Sequence, residues 1–234
     1  LAAVGQLASG IAHDFNNILG AIILYAQMPL AHGDLTSEVR DAFQTILEES
    51  RRAADLVDQI RDFARSTAMA TEPVDLVDLV ADALGLLERT VPAHIDLTAT
   101  LAAAPCTIKA DPTRIHQALM NLVLNARDAM PEGGELGIGV HALTVSPDEP
   151  GPIPDMPPGA WCCLTVSDTG TGLSEEAQAH LFEPFFTTKE ERGTGLGLAQ
   201  VYGIVNQHDG CIDVETAQGE GTAFKLFLPR YDQA

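Results

Sequence analysis

Residues 4–25 read VGQLASGIAHDFNNILGAIILY. Apolar residues recur at Val4, Ala8, Ile11, Phe15, Ile18, Ile22 and Tyr25, in steps that alternate four and three. That is the a/d stripe of a helix packed against other helices. With Ala8 and Phe15 at a, and Ile11 and Ile18 at d, His13 falls at f, turned away from the seam toward water. A second stripe runs through Val39, Phe43, Ile46, Ser50, Ala53, Val57, Ile60 and Ala64 with the same alternation. Pro29 ends the first helix near Met28. Thr36 or Ser37 caps the second, with Glu38 in its first turn. Two heptad helices with a short turn make a helical hairpin. One hairpin cannot cover both seams together with Leu47, Leu56 and Phe63. Two hairpins can, so the expected state is a homodimer built on a four-helix bundle.

Outward from the hairpin the texture changes. The heptads stop before 66–73, which reads as a linker and gives domains 1–68 and 74–234 with 69–73 between them. Beyond it, helical and strand-like stretches alternate irregularly. A short strand start and an amphipathic helix cover 74–88, and a strand covers 94–101. A helix over 110–130 stops at the Pro131-Glu132-Gly133-Gly134 turn. Strands follow at 135–145 and 161–168, joined by a Pro-rich acidic surface loop, then a helix at 196–207 and closing strands at 211–216 and 223–228. This order predicts one sheet with helices on one face.

The 234 residues carry a formal charge of −20. Such a surface repels phosphate backbones, so nucleic acid is excluded as the main partner. A small nucleotide answers more to local groups and to a metal ion. Cys106, Cys162, Cys163 and Cys211 show no CxxC spacing, and the seven histidines form no metal-ligand pattern. Adjacent Cys162 and Cys163 face opposite sides of a strand, as buried free thiols of a reducing compartment. The longest apolar run near the start, 18–26, is too short to span a bilayer. With no initiator Met and a helical pattern already running at Leu1, the expectation is a cytoplasmic fragment without direct membrane contact, cut from a longer chain that is membrane-anchored or soluble.

Four separated stretches of the second domain could carry chemistry. In NLVLNARDAM (121–130), Asn121 and Asn125 share one helix face. In VSDTGTGL (166–173), a strand delivers Asp168 into a turn where Gly170 and Gly172 let backbone approach a ligand. In FEPFFTTKEERGTGLGL (182–198), Gly193, Gly195 and Gly197 feed a helix N-terminus, an anion site, beside Lys189 and Arg192. GEGT (219–222) is a tight turn before the last strand. Each alone is ambiguous.

In this order they resemble the catalytic region of sensor histidine kinases. NLVLNARDAM is similar to the family's N box, VSDTGTGL to its G1 box, LFEPFF to its F box and GTGLGL to its G2 box. GQLASGIAHDFNN resembles the H box of its dimerisation domain. The resemblance implies a dimeric helical-hairpin bundle followed by an α/β sandwich of Bergerat type. It implies that Asp168 accepts from the adenine amino group and Thr222 helps hold the base. Asn125 would ligate Mg²⁺, with Asn121 beside it near the phosphates. Backbone of Gly193, Thr194, Gly195, Leu196, Gly197 and Leu198 would cradle phosphates, and 183–192 would form the ATP lid, with Lys189 or Arg192 touching phosphate. Arg127 is a further phosphate contact on this reading. His13 would take the γ-phosphoryl group from ATP and pass it to an Asp of a response regulator. Asp14 would orient the imidazole. Asn17, four residues on, would position the water of a phosphatase reaction.

The chemistry agrees on one point. Related ATPases that hydrolyse ATP place a carboxylate at the position of Asn121, and a neutral amide is a poor base at pH 7. The site therefore reads as one that holds ATP for a nucleophile brought by another domain. The chain departs from the family's usual pattern at Ile18, where many members have Pro, and at Asp128, where many have a basic residue. Two other readings stay open: an ATP-hydrolysing machine of the same fold, and a dimeric scaffold that binds no nucleotide.

Overall fold

In the computed structural model, the described residues are 2–32, 35–64, 70–147, 151–154, 156–188 and 194–231; side chains of 2–14, 16, 32, 52, 55, 56 and 58–64 lie outside the description. The chain divides into two compact units, Leu1–Ala68 and Met69–Ala234.

The first unit is a helical hairpin of α1 (Ala2–His32) and α2 (Ser37–Ala64). Against expectation, α1 passes Pro29 and runs one turn further. A proline so near the end removes only one ladder bond, to the carbonyl of Tyr25, and the last turn closes around it. Ala26 is buried, with Leu19, Ile23 and Leu30 half-buried beside it. On α2, Ser50 is buried and Phe43, Leu47, Ala53, Ala54 and Val57 are half-buried. These are the sides on which α1 and α2 pack together. The a/d residues of α1 lie elsewhere: Phe15, Ile18 and Tyr25 are 53%, 58% and 71% exposed. Within the described residues the hairpin thus leaves a second apolar row of α1 uncovered, and Val39 and Ile46 of α2 are exposed as well. Gly20 and Gln27, at the f positions that follow His13, are exposed.

The second unit contains β1 (Glu72–Asp75), α3 (Leu76–Thr90), β2 (Ile95–Leu101), β3 (Thr107–Ala110), α4 (Pro112–Ala129), β4 (Gly134–Val145), β5 (Gly159–Asp168), α5 (Glu175–Ala179), α6 (Gly197–Gln207), β6 (Cys211–Ala217) and β7 (Gly221–Pro229). Five strands form one sheet in the order β2-β4-β5-β7-β6; β2 and β4 are parallel and the other pairs antiparallel. β1 and β3 make a separate antiparallel pair. The linker expected over 69–73 therefore ends at Glu72, which already pairs with Ala110. That partner lies far along the chain, so local pattern carries no sign of it. β3 and the one-turn α5 are likewise too short to set up a period.

Asp75 and Asp111 start α3 and α4 as N-caps, their carboxylates accepting from Val77 N–H and from Thr113 and Arg114 N–H. α4 then turns Ile115, Ala118, Leu119, Leu122, Val123 and Ala126 inward at helical spacing. They pack with α3 and α6 against Ile138, Leu164, Val166, Phe224 and Leu226 of the sheet, which forms the main core. Each such large side chain contributes about 1.5–3 kcal/mol on burial. The opposite sheet face is not bare. Val145, Trp161, Cys163 and Phe227 form a second cluster with Met156 of the β4–β5 connection. The Trp161 indole N–H donates to the Pro157 carbonyl at 3.1 Å. Cys162 and Cys163 do fall on opposite faces, one in each cluster, and burial pushes both thiols up, so they stay neutral.

Candidate nucleotide site

Strand periodicity builds one wall. On β5, Cys162, Leu164 and Val166 face the helix layer, so Asp168, two residues on, faces it too. On β7, Phe224 and Leu226 set the same parity for Thr222. The ladder aligns Asp168 with Thr222 and Thr222 with Thr216 of β6. A carboxylate thus occupies a core-facing register at the sheet's end, where it is 9% exposed. Loss of hydration raises its proton affinity. Backbone N–H groups of Gly170 (2.8 Å to Oδ1) and Thr222 pull the other way without cancelling that rise. Thr222 is buried, its hydroxyl 3.0 Å from that of Thr216. The Thr216 hydroxyl also accepts from Leu173 N–H and donates to the Gly221 carbonyl, both at 3.0 Å.

The turn after Asp168 crosses the end of α4, where Thr171 N–H donates to the Ala129 carbonyl. Gly172 lies at φ +61°, and a Cβ there would stand 2.0 Å from the Ala217 carbonyl. Only glycine fits the crossing of these two turns.

The second wall is α4 against the start of α6. Asn121 and Asn125 lie one turn apart and half-buried. Asn121 Nδ2 donates to the Gly197 carbonyl at 3.3 Å and to Gln200 Oε1 at 3.0 Å. A Cβ on Gly197 would be 3.8 Å from Asn125 Nδ2 and 3.9 Å from Asn121 Cγ, so both amides sit beside this glycine. α6 starts at Leu196 without a side-chain cap. Its first N–H groups therefore point forward with the positive end of the helix dipole, which suits an anion. Thr194 Oγ1 accepts from Leu196 N–H at 3.3 Å and steadies the approach. Gly195 lies at φ +65° with its carbonyl accepting from Phe185 N–H at 2.9 Å. Phe185 is itself left-handed at φ +71°. A Cβ at 195 would come within 2.3 Å of the Phe185 carbonyl carbon.

The structure therefore brings together Asn121, Asn125, Gly195, Leu196, Gly197 and Leu198 at the α4–α6 contact, and Asp168, Gly170, Gly172 and Thr222 at the sheet's end. Lys189, Arg192 and Gly193 lie outside the described residues. So do the side chains of His13 and Asp14, although both positions are helical in α1; Asn17 is exposed. Arg127 is not brought in. It lies about 200° round α4 from Asn125, and its guanidinium donates through Nε and Nη2 to Asp128. Sequence reasoning missed Thr216 and Gln200. A lone polar residue on the apolar stripe Ala199, Val201, Ile204 and Val205 was the available signal for Gln200.

Among the described residues no three His, Cys, Asp or Glu side chains are grouped to hold a metal ion. A divalent ion at this site would rely on amide oxygen, phosphate and water. That donor set suits Mg²⁺, which keeps several waters and leans on phosphate.

The model of histidine kinase-, DNA gyrase B-, and HSP90-like ATPases matches residues 110–232. This chain belongs to that ATPase family. The His kinase A (phospho-acceptor) domain model matches residues 3–68. Sensor kinase CckA of Brucella abortus (strain 2308) is 42% identical over 229 residues, 97% of this chain and 24% of the relative. Sensor histidine kinase ZraS of Escherichia coli (strain K12) is 34% identical over 230 residues, 98% of this chain and 46% of the relative. The chain thus spans less than half the length of these relatives. Among solved structures, full-length ShkA in complex with AMPPNP matches with TM-score 0.78 and 25% identity, over 99% of this chain and 47% of that one. The nucleotide-free catalytic domain of histidine kinase ThkA matches with TM-score 0.56 and 30% identity, over 69% of this chain and 97% of that one. The ATPase family and the helical-hairpin-plus-α/β architecture expected from the sequence are both borne out.

Proposed function

We propose that the chain is the catalytic core of a sensor histidine kinase that phosphorylates itself on His13 from ATP and passes the phosphoryl group to an Asp of a response regulator. What supports this reading is the pairing, in one chain, of a buried carboxylate at Asp168 with an uncapped helix start at α6, held by Asn121, an amide and no base. On this reading Asp168 accepts from the adenine amino group, beside Thr222. Guanine, with an oxo group there, is refused. The uncapped start of α6 and the backbone of 193–198 hold the phosphates, with Lys189 or Arg192 of the lid as the contacting cation. Mg²⁺ would be held by the Asn125 amide oxygen and would supply neutralisation of phosphate charge. His13, at an f position of the first sequence stripe, brings an imidazole nitrogen in line. Asp14 orients that ring.

Two copies cover the apolar row at Phe15, Ile18, Ile22 and Tyr25, which makes the working unit a homodimer. Asn17, exposed one turn after His13, positions water for dephosphorylating the regulator. The fragment works in the cytoplasm, where ATP and regulators are. Among the described residues no helix is long and apolar enough to cross a membrane.

The test is incubation with γ-labelled ATP and Mg²⁺. An acid-labile, alkali-stable phosphoprotein is expected, and His13→Gln abolishes it. Labelling of His13→Gln at the parent rate, or steady ATP hydrolysis without phosphoprotein, overturns the assignment.

A further inference from the structure

The two hydrogens of the Asn121 amide are both spent on the first turn of α6, on the Gly197 carbonyl and on Gln200 Oε1. A backbone carbonyl only accepts. The Gly197 bond therefore fixes which end of the Asn121 amide faces α6. With Nδ2 there, Gln200 must present its oxygen and not its nitrogen. The Asn121 oxygen is then turned away from α6. One backbone atom thus sets two amide orientations in sequence.

Gln200 occupies an unusual place for its chemistry. It is 8% exposed, on the stripe that α6 shares with Ala199, Val201 and Ile204. An apolar residue there would be buried without any hydrogen-bond requirement, whereas a primary amide must be satisfied. What the amide adds is an acceptor aimed at Asn121. A carboxylate at 121 would have no hydrogen for the Gly197 carbonyl, which can only accept, whereas the Gln200 amide could turn its NH₂ toward it.

We propose that Gln200 is a positioning residue. Accepting from the Asn121 amide beside the Gly197 carbonyl, it locks that amide with its oxygen away from α6. This rests on the histidine-kinase reading for its catalytic consequence, and on geometry alone for the lock. The start of α6, where the phosphates bind, and Asn121 on α4 are thereby held as one unit.

The test is a mutant cycle in the 234-residue chain with Gln200→Leu, Asn121→Ala and the double variant. Two readouts are taken: the rate of His13 labelling against ATP concentration, and hydrogen exchange of the Asn121 side-chain amide by NMR, assigned by its disappearance in Asn121→Ala. With one buried hydrogen bond removed, Gln200→Leu lowers the maximal labelling rate roughly fivefold to tenfold, with KM for ATP changed by less than about twofold. It has no further effect on the residual rate of Asn121→Ala. In the parent both Asn121 amide hydrogens are protected, and in Gln200→Leu one exchanges fast.

The proposal is overturned by an unchanged rate in Gln200→Leu. It is equally overturned by the same fractional loss in the Asn121→Ala background, which marks a structural role, or by unchanged protection of both hydrogens. A parent chain that never labels on His13 defeats the kinase reading instead, and the exchange measurement then decides the lock by itself. If Gln200→Leu does not fold, Gln200→Met, apolar and unbranched, takes its place in the same cycle.

Discussion

Replacing Asp168 by Asn should move stability and nucleotide binding in opposite directions. Burial at the end of β5 raises the proton affinity of this carboxyl above the ordinary Asp range, and two backbone N–H groups offset only part of that. Between the ordinary value and the raised one, the native chain holds a proton that the unfolded chain has lost. Stability therefore falls as pH rises through that window and stays reduced above it. Asp168→Asn removes the buried charge, so at about pH 8 the variant melts above the parent. Below the ordinary Asp range the parent carboxyl is protonated in both states, and the difference closes.

Binding runs the other way. Gly170 N–H already uses Oδ1 at 2.8 Å. An Asn with its oxygen held there turns an NH₂ group toward the adenine amino group, donor against donor. A hydrogen bond to a charged group contributes about 1.5–3 kcal/mol, which is about 10- to 150-fold in Kd. Differential scanning calorimetry across pH and isothermal titration with a non-hydrolysable ATP analogue read the two effects. The reasoning fails if the variant melts below the parent at about pH 8 with a gap that persists in acid. It also fails if the analogue binds both proteins within about twofold.

Gly195→Ala forces a side chain into a left-handed backbone at about 1–2 kcal/mol and drives its Cβ into the Phe185 backbone. Titration should show the triphosphate losing affinity by at least about tenfold, while the melting temperature of the domain falls only slightly. Ile18→Glu together with Ile22→Glu places charges on the uncovered row of α1, so sedimentation should show a monomer where the parent sediments as a dimer. An unchanged dimer would mean that another surface makes the contact. Trp161→Phe keeps the packing of the outer sheet face and loses the bond to Pro157, so denaturant unfolding should report about 0.5–1.5 kcal/mol of lost stability. Nucleotide affinity should stay as it was, since the site lies on the opposite face; a drop would show that the two faces are coupled.

How much was legible follows from the range of each signal. The stripes at Val4–Tyr25 and Val39–Ala64 repeat at the period of a helix, so the hairpin was legible in them. Long elements such as α4 and β5 were legible for the same reason. The glycine-rich stretches at 166–173 and 193–198 marked where backbone must come close to something. Pro29 misled because its cost depends on how many turns remain, which composition does not reveal. β3 was invisible, and β1 showed only as a short strand start at 74, because each is defined by the other. Arg127 was picked from its neighbours in the motif; its pairing with Asp128, about 200° round α4 from Asn125, was not legible there.

By itself, the sequence determined the periodicities and the chemical types: a helical hairpin bearing His13, a buried-strand aspartate, paired amides and a glycine-rich helix start. Those are local properties, fixed by residue spacing and side-chain chemistry. Only the tertiary structure decided the rest. It set Asp168 in register with Thr222 and so in a core-facing place that raises its proton affinity. It put Gln200 and the Gly197 carbonyl on the Asn121 amide across 79 and 76 intervening steps of chain. It also showed that the row at Phe15, Ile18 and Tyr25 is not the one the hairpin buries against itself. Each of these depends on which surfaces meet when the whole core closes, and no window along the chain contains that information.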